Sequence, residues 1–236
     1  MYTTLIFDLD DTLTDDFENC REAFKIMIAS RNEEYLEENY FRFKEIDDKT
    51  WKDRAAGKLI TPYEYDDEKK KEWIRASRIL KYYGEDIITY EEAVKLSNIY
   101  IEGMKEKVVS RPNVISVMKY LYEKKYKIVI ATNGPLIPLN EKLKKLEIEM
   151  YVDFIFSSEE AGEMKPHSRF YKKLFEKANI IPSKEVLFIG DNLETDIKGG
   201  IENGIDTCWC NYNNKENNIY PITHEIKDLK ELINLL

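Results

Sequence analysis

The 236-residue sequence predicts an α/β protein whose parallel β-sheet is interrupted by a long helical insertion. Three observations support this prediction. The chain opens with an apolar run at residues 2–7 that stops abruptly at acidic residues, as a buried strand does. Residues 16–107 carry apolar side chains at helical spacing, and from Arg111 onward strand-like and helix-like segments alternate. Such alternation is typical of βαβ units, which build parallel sheets.

The composition is that of a globular chain and disfavours several functional classes. No apolar run approaches the ~20 residues of a membrane span, and no secretory signal is visible, so we expect a cytoplasmic protein. The net charge of −9 disfavours binding to nucleic acid polymers or anionic membranes. The cysteines Cys20, Cys208 and Cys210 are odd in number and lack Cys-x-x-Cys spacing, which predicts reduced thiols. The sequence gives no indication of oligomeric state.

The segment after the first strand predicts a helical domain. We predict helices over roughly 16–31, 33–55, 62–83 and 90–107. The breaks between them fall at Gly57, at Thr61-Pro62 and near Gly84, because proline favours the first turn of a helix and glycine ends one. The predicted division therefore assigns residues 1–15 and 108–236 to an α/β core and residues 16–107 to the insertion.

The remainder of the chain predicts the alternating elements of the core. We predict strands over 126–131, 152–157, 186–189 and 206–210. We predict helices over 113–124, 140–146, 168–179, 195–203 and 226–235. The Asn-rich segment at residues 211–218 is expected to be a polar loop.

Four strand-end segments carry polar residues that suit chemistry. They are Asp8-Leu9-Asp10, Thr132-Asn133-Gly134, Lys165-Pro166, and Gly190-Asp191 followed by Asp196. Each segment alone resembles an ordinary turn or loop. Their joint placement after predicted strands is more specific, because the carboxyl ends of parallel strands meet at one edge of a sheet, where ligands bind.

The first of these segments suggests a cation. Asp8, Asp10 and Asp11 lie within four positions, and crowding three carboxylates is unfavourable unless a positive charge neutralises them. Oxygen ligands suit a hard ion such as Mg²⁺. With only His167 and His224 in the chain, a His-rich zinc site is disfavoured.

Together the four segments resemble the ordered motifs of the haloacid dehalogenase superfamily of phosphohydrolases. Asp8-Leu9-Asp10-Asp11-Thr12 resembles the first motif, Thr132-Asn133-Gly134 the second, Lys165 the third, and the segment from Gly190 to Asp196 the fourth. The resemblance covers essentially the whole chain. It implies a Rossmann-like parallel-sheet catalytic core with an inserted all-helical cap, and it is greatest for the pyrimidine 5′-nucleotidase group. His167-Ser168 departs from the Asp and Pro that many relatives carry after the Lys-Pro pair.

The chemistry expected of these residues is hydrolysis of a phosphate monoester. Asp8 would attack phosphorus and form an acyl phosphate. Asp10 would protonate the leaving oxygen and later deprotonate the attacking water. Mg²⁺, held by Asp8 and Asp191 and, as the family implies, by the Asp10 carbonyl, would supply positive charge and orient the phosphoryl group.

The other motif residues are expected to support that reaction. Thr132 and the Asn133 backbone would bind phosphoryl oxygens, Lys165 would offset charge on Asp8 and the transition state, and Asp196 would position metal-bound water. Asp11 is expected to shape the turn into the insertion, and His167 to lie in an exposed loop.

Other functions on the same motifs stay open at this point. A phospho-accepting signalling module also uses an Asp, a Thr and a Lys, but it needs neither Asp10 nor the insertion. A dehalogenase does not require Asp10, whereas a phosphosugar mutase or a phosphoglycolate-type phosphatase would keep every motif.

The expected substrate is a small phosphorylated metabolite, such as a nucleoside 5′-monophosphate. We expect side chains of the insertion to determine which substrate the protein accepts. Cationic and aromatic candidates there are Arg54, Arg75, Arg78, Trp51, Tyr63, Tyr65 and Trp73.

Overall fold

The computed structural model describes residues 1–63, 66–134 and 136–236. Two compact units are present, one formed by Met1–Asp16 with Val108–Leu236 and the other by Phe17–Lys107. Tyr65, and with it part of the helix predicted over 62–83, lies outside the described residues.

The first unit is built on a parallel β-sheet, which confirms the predicted fold class. Across the described residues the sheet has six strands in the order β3-β2-β1-β4-β5-β6, every neighbouring pair parallel. The strands are β1 (Thr4–Phe7), β2 (Lys127–Thr132), β3 (Phe154–Ser157), β4 (Val186–Gly190), β5 (Asp206–Cys210) and β6 (His224–Ile226).

The central strand β1 shows why these residues form a sheet. All four of its residues are buried, as in a strand covered on both faces. Leu5 and Phe7 belong to the apolar cluster on one face, and Ile6 belongs to the cluster on the other. The two-residue periodicity of a strand produces this split.

Helices cover both faces of the sheet. The helices of this unit that begin after Val108 are α5 (Val114–Glu123), α6 (Leu136–Lys145), α7 (Ser158–Ala161), α8 (Ser168–Lys177), α9 (Lys198–Glu202) and α10 (Leu232–Leu235). Val117 of α5 and Leu143 of α6 pack with Leu5 and Phe7 on one face. Phe170 of α8 packs with Ile6 on the other.

The second unit is helical and has an aromatic core. The helices are α1, which begins in the first unit (Asp16–Ala29), α2 (Glu37–Ala55), α3 (Asp67–Tyr83) and α4 (Tyr90–Glu106). Phe24 stacks on Phe43 at 5.1 Å between ring centroids, and the edge of Tyr82 packs against both rings. Helix α4 begins with a capping box in which the Thr89 hydroxyl accepts from the Glu92 amide.

Two predicted elements differ in kind from the structure, and others differ in their bounds, as in α6, which begins at Leu136 although the prediction began at residue 140. The chain end predicted as one helix over 226–235 contains the edge strand β6, a 3₁₀ turn at Leu229–Glu231 and the short helix α10. A three-residue His-Glu-Ile strand is too short to show the alternation that identifies strands. The helix predicted over 195–203 begins earlier, with a π-helical turn at Leu193–Ile197 that runs into α9. No helix in the described part of the chain has the length and apolarity that crossing a bilayer requires.

Candidate active site

The carboxyl ends of β1, β2 and β4 bring the predicted polar residues together. Phe7 pairs in register with Ile130 of β2 and with Ile189 of β4, so the residues after each strand emerge side by side. The backbone amide of Asp8 continues the pairing by donating to the carbonyl of Ile189 at 2.9 Å. The loop after β1 therefore lies between those after β2 and β4.

Lys165 lies at the centre of the site and is buried. Its Nζ is 2.5 Å from Asp8 Oδ1 and 2.8 Å from Asp196 Oδ1, and it donates to the carbonyl of Ala131 at 2.9 Å. The Lys165 and Asp196 side chains are each 1% exposed, and that of Asp8 is 8% exposed. One ammonium thus contacts two buried carboxylates, and the three acceptors around Nζ satisfy its donors.

A cluster of carboxylates surrounds the end of β1. Asp8, Asp191 and Asp196 each place a carboxylate oxygen within 4.8 Å of those of the other two. The Thr12 hydroxyl lies 3.1 Å from Asp8 Oδ2 and 3.4 Å from Asp191 Oδ1, and it accepts from the Asp191 amide at 3.1 Å. Because a hydroxyl has one proton, it can donate to only one of the two carboxylates at a time. This all-oxygen set has the chemistry that a hard divalent cation requires.

The electrostatics of the cluster favour added positive charge. The pKa of Asp8 is raised to about 7, mainly by burial. The Lys165 ammonium lowers this pKa, whereas the charges of Asp196 and Asp10 raise it. Burial, with Asp196 and Asp8 adding repulsion, raises the pKa of Asp191 to about 8. Burial alone would lower the pKa of Lys165, but the carboxylates of Asp196 and Asp8 raise it above its ordinary value. Ionising the cluster is therefore costly with Lys165 alone, and a cation would reduce that cost.

The loop after β2 holds the backbone of Lys165. Asn133 Oδ1 accepts from the Lys165 amide at 2.7 Å, and Asn133 Nδ2 donates to the Lys165 carbonyl at 3.2 Å. Thr132 is buried, and its Oγ1 accepts from the Gly134 amide at 2.9 Å. The side chain of Asn133 thus positions Lys165, which sequence reasoning did not anticipate.

Asp10 lies in the same region but outside the buried cluster. Its side chain is 35% exposed, and Oδ1 lies 2.5 Å from Nζ of Lys142 in α6. The metal ligands expected from the sequence are the carboxylates of Asp8 and Asp191 and the backbone carbonyl of Asp10, with Asp196 positioning water. The carboxylates of Asp8 and Asp191 do lie close together, and that of Asp196 lies with them.

The residues beside the site shape its loops. Asp11 has φ of 62°, and its Oδ1 accepts from the Asp16 amide at 3.1 Å and contacts Arg111 at 3.2 Å. Arg111 also pairs with Asp15 at 2.8 Å. His167 accepts from the Arg169 amide through Nδ1 at the start of α8. Asp11 therefore lies in a turn, as predicted, and His167 is exposed and caps the start of α8.

Among the candidates of the insertion, Arg78 has a structural partner. It pairs with Asp47, and both side chains are about 5% exposed. Trp51 donates to the same carboxylate at 3.0 Å. Breaking a buried ion pair is destabilising, so Arg78 contributes to the packing of the helical unit.

Several contacts in the site involve residues that the motifs did not single out for a role. They are the Thr12 hydroxyl, Lys142, Arg111 and Trp209, whose Nε1 donates to the Asp191 carbonyl at 2.8 Å. Thr12 could have been found from its place within the first segment. The other three lie outside the four motif segments and carry no local pattern that marks them.

Comparison with known proteins identifies relatives along the whole chain. A family model described as haloacid dehalogenase-like hydrolase matches residues 2–204. The HAD-hydrolase YfnB of Bacillus subtilis is 30% identical, covering 100% of this chain and 95% of that protein. The pyrimidine 5′-nucleotidase YjjG of Escherichia coli is 27% identical, covering 98% and 96%. A glyceraldehyde 3-phosphate phosphatase of Methanocaldococcus jannaschii is 27% identical, covering 100% and 97%.

The fold comparison agrees with the sequence comparison. The crystal structure of YfnB bound to magnesium matches with a TM-score of 0.84 and 26% identity, covering 100% of this chain and 98% of that one.

Proposed function

The chain belongs to the haloacid dehalogenase-like hydrolases and is a phosphoric monoester hydrolase, and we propose that it acts on small phosphorylated metabolites through an aspartyl-phosphate intermediate with Mg²⁺ as cofactor. The observation that carries this proposal is the buried contact of Lys165 with Asp8 and Asp196 beside Asp191. Such a set provides a nucleophile, a fixed cation and an oxygen-rich metal site at one sheet edge.

Asp8 is the proposed nucleophile. Its carboxylate attacks phosphorus, the bond to the leaving oxygen breaks, and the resulting acyl phosphate is then hydrolysed by water. The Lys165 ammonium, 2.5 Å from Oδ1, lowers the repulsion between this carboxylate and an anionic phosphoryl group. Asp8 is held in place by this contact and by its backbone hydrogen bond to Ile189.

The carboxylate cluster fits the proposed cofactor. Asp8, Asp191 and the backbone carbonyl of Asp10 would hold Mg²⁺. Asp196 would lie beside them and position the water bound to the ion. When bound there, the ion would supply positive charge that offsets negative charge on phosphoryl oxygens. YfnB, which the chain resembles over its full length, has been crystallised with magnesium, which supports the assignment.

The remaining motif residues have proposed roles in binding and proton transfer. The Thr132 hydroxyl and the backbone N–H of Asn133 bind phosphoryl oxygens. Asp10 gives a proton to the leaving oxygen and takes one from the attacking water, a contribution usually worth about 10²–10⁴ in rate. Asp10 is the feature that favours a phosphatase over a dehalogenase or a signalling module.

Nucleoside 5′-monophosphates are the proposed substrate class. The resemblance to the nucleotidase YjjG supports it, and the equal identity to a glyceraldehyde 3-phosphate phosphatase supports a small sugar phosphate as the second candidate. A phosphosugar mutase or a phosphoglycolate-type phosphatase would use the same motif residues.

Two measurements test the proposal. Purified protein should release phosphate from an aryl phosphate only with Mg²⁺, and Asp8→Asn should abolish release while leaving the protein folded. Near-normal turnover by that variant would refute the nucleophile. The substrate class is decided by comparing kcat/KM for UMP, dUMP, glyceraldehyde 3-phosphate, phosphoglycolate and a hexose phosphate, because this ratio measures transition-state discrimination.

A further inference from the structure

A second lysine of the first unit contacts a carboxylate that is proposed to be catalytic. Lys142 of α6 places Nζ 2.5 Å from Asp10 Oδ1 and 3.8 Å from Asp16 Oδ1. The Lys142 side chain is only 13% exposed, so solvent screens the contact weakly. Charge-assisted contacts of this length are among the stronger ones in proteins. The contact restrains a carboxylate that lies in a turn, outside any strand.

The two oxygens of Asp10 have different surroundings. Oδ1 binds Lys142, whereas Oδ2 points toward the loop after β2. A Cβ atom added at Gly134 would lie 3.4 Å from Asp10 Oδ2 and 3.3 Å from Thr132 Oγ1. The carboxylate is therefore turned so that one oxygen is held by Lys142 and the other faces the loop proposed to bind the phosphoryl group.

We propose that Lys142 is a positioning residue that holds Asp10 in the orientation needed for proton transfer. This inference rests on the proposed function, because the orientation matters to rate only if Asp10 exchanges protons with substrate and water. Misplacement of a reacting group by about 1 Å can cost on the order of a hundredfold in rate. The arrangement around Asp10 parallels that around Asp8, whose Oδ1 binds Lys165.

The two lysine contacts also explain how the carboxylates of Asp8 and Asp10 can both carry charge so close together. Asp8 and Asp10 are two residues apart, and the charge of Asp10 disfavours that of Asp8. Two separate lysines, one on helix α6 and one in the loop before α8, compensate each charge locally. Lys165 compensates the nucleophile, and Lys142 compensates the acid/base.

The first test compares three variants of α6. Lys142→Met keeps the aliphatic stem but removes the charge, Lys142→Arg keeps the charge, and Lys144→Met changes an exposed lysine on the same helix. Lys142→Met should lower kcat on an alkyl phosphate by about tenfold, part of what general acid catalysis supplies, and less on an activated aryl phosphate. KM should change little. Lys142→Arg should recover much of the rate, and Lys144→Met should behave as wild type.

A double variant separates positioning from a general structural defect. If Lys142 acts through Asp10, then Asp10→Asn/Lys142→Met should be no slower than Asp10→Asn alone. A multiplicative loss in the double variant, or an equal loss on alkyl and aryl phosphates in Lys142→Met, would overturn the proposal.

A crystal structure of Lys142→Met tests the inference without relying on activity. We expect the Asp10 carboxylate to leave its present orientation. An unchanged carboxylate, with Oδ2 still toward Gly134, would overturn the proposal even if the rate falls. If the wild-type protein releases no phosphate from any monoester, the proposed function fails, and this structure still decides whether Lys142 positions Asp10.

Discussion

Replacing Lys165 by Met should destabilise the metal-free protein far more than the equivalent change at a surface lysine. The structure offers a matched pair for this comparison. Lys165 and Asp196 are 2.8 Å apart with side chains 1% exposed, and Lys184 and Asp206 are also 2.8 Å apart with Lys184 73% exposed. The two pairs share their distance and differ in burial.

The expected magnitudes follow from that difference. Removing Lys165 leaves the carboxylates of Asp8 and Asp196 buried without their counter-charge, and breaking a buried pair in this way costs about 3–5 kcal/mol. Removing Lys184 should cost no more than about 1 kcal/mol, because exposed pairs are screened by water. For a chain of this size the larger loss corresponds to a fall of roughly 10 °C in Tm.

The assay is urea and thermal unfolding of both variants in chelator, followed by the fluorescence of Trp209. Trp51 and Trp73 are replaced by Phe in the background, so that the signal reports the unit that contains the site. The cost of Lys165→Met should shrink toward pH 5, where Asp8 is protonated, and on addition of Mg²⁺. Equal costs for the Lys165 and Lys184 variants would refute the inference that a charged, buried cluster depends on Lys165.

Four further outcomes are expected. Because burial raises the pKa of Asp8 to about 7, folding takes up a proton between about pH 4 and 7, and the stability of the metal-free protein should fall with rising pH by up to about 1.4 kcal/mol per unit. The rise in Tm on adding Mg²⁺ should correspondingly be larger at pH 8 than at pH 5, and a rise independent of pH would contradict this. Asp191→Asn should increase the Mg²⁺ concentration needed for half-maximal activity by about tenfold or more, in line with loss of a metal contact, and an unchanged requirement would remove Asp191 from the metal site. Asp10→Asn should slow alkyl phosphates more than activated aryl phosphates, and equal slowing would argue against a general acid.

Much of the fold could be predicted because local sequence and global structure agree. The strands β2, β4 and β5 begin and end within one residue of their predicted bounds. Buried parallel strands are mostly apolar, so each stands out against the charged helices around it. The predicted site residues come together because the adjacent strands β1, β2 and β4 end at one edge of the sheet, and Lys165 reaches the same edge from the loop before α8.

The contacts between distant residues could not be predicted. Lys142 and Asp10 are 132 positions apart, and nothing in a helix sequence indicates which of its lysines faces a neighbouring loop. Asn133 shows a second limit, because its side chain binds the backbone of Lys165 while only its own backbone was expected to have a role. Arg78 shows a third, since an arginine on an amphipathic helix can face either solvent or, as here, a buried partner.

The pairing of the two segments that lead into and out of the helical unit bears on how the chain folds. Thr14 bridges Ser110, and the Asp15 amide donates to the Val109 carbonyl at 2.8 Å, so the two segments run side by side. Strand β1 must find β2 across more than a hundred residues, as Thr4 pairs with Lys127. If the helical unit folds first through its local contacts and holds its ends together, the loop that remains to be closed shrinks about fourfold. The entropic cost of closure then falls by about 1 kcal/mol, and the sheet should nucleate correspondingly faster.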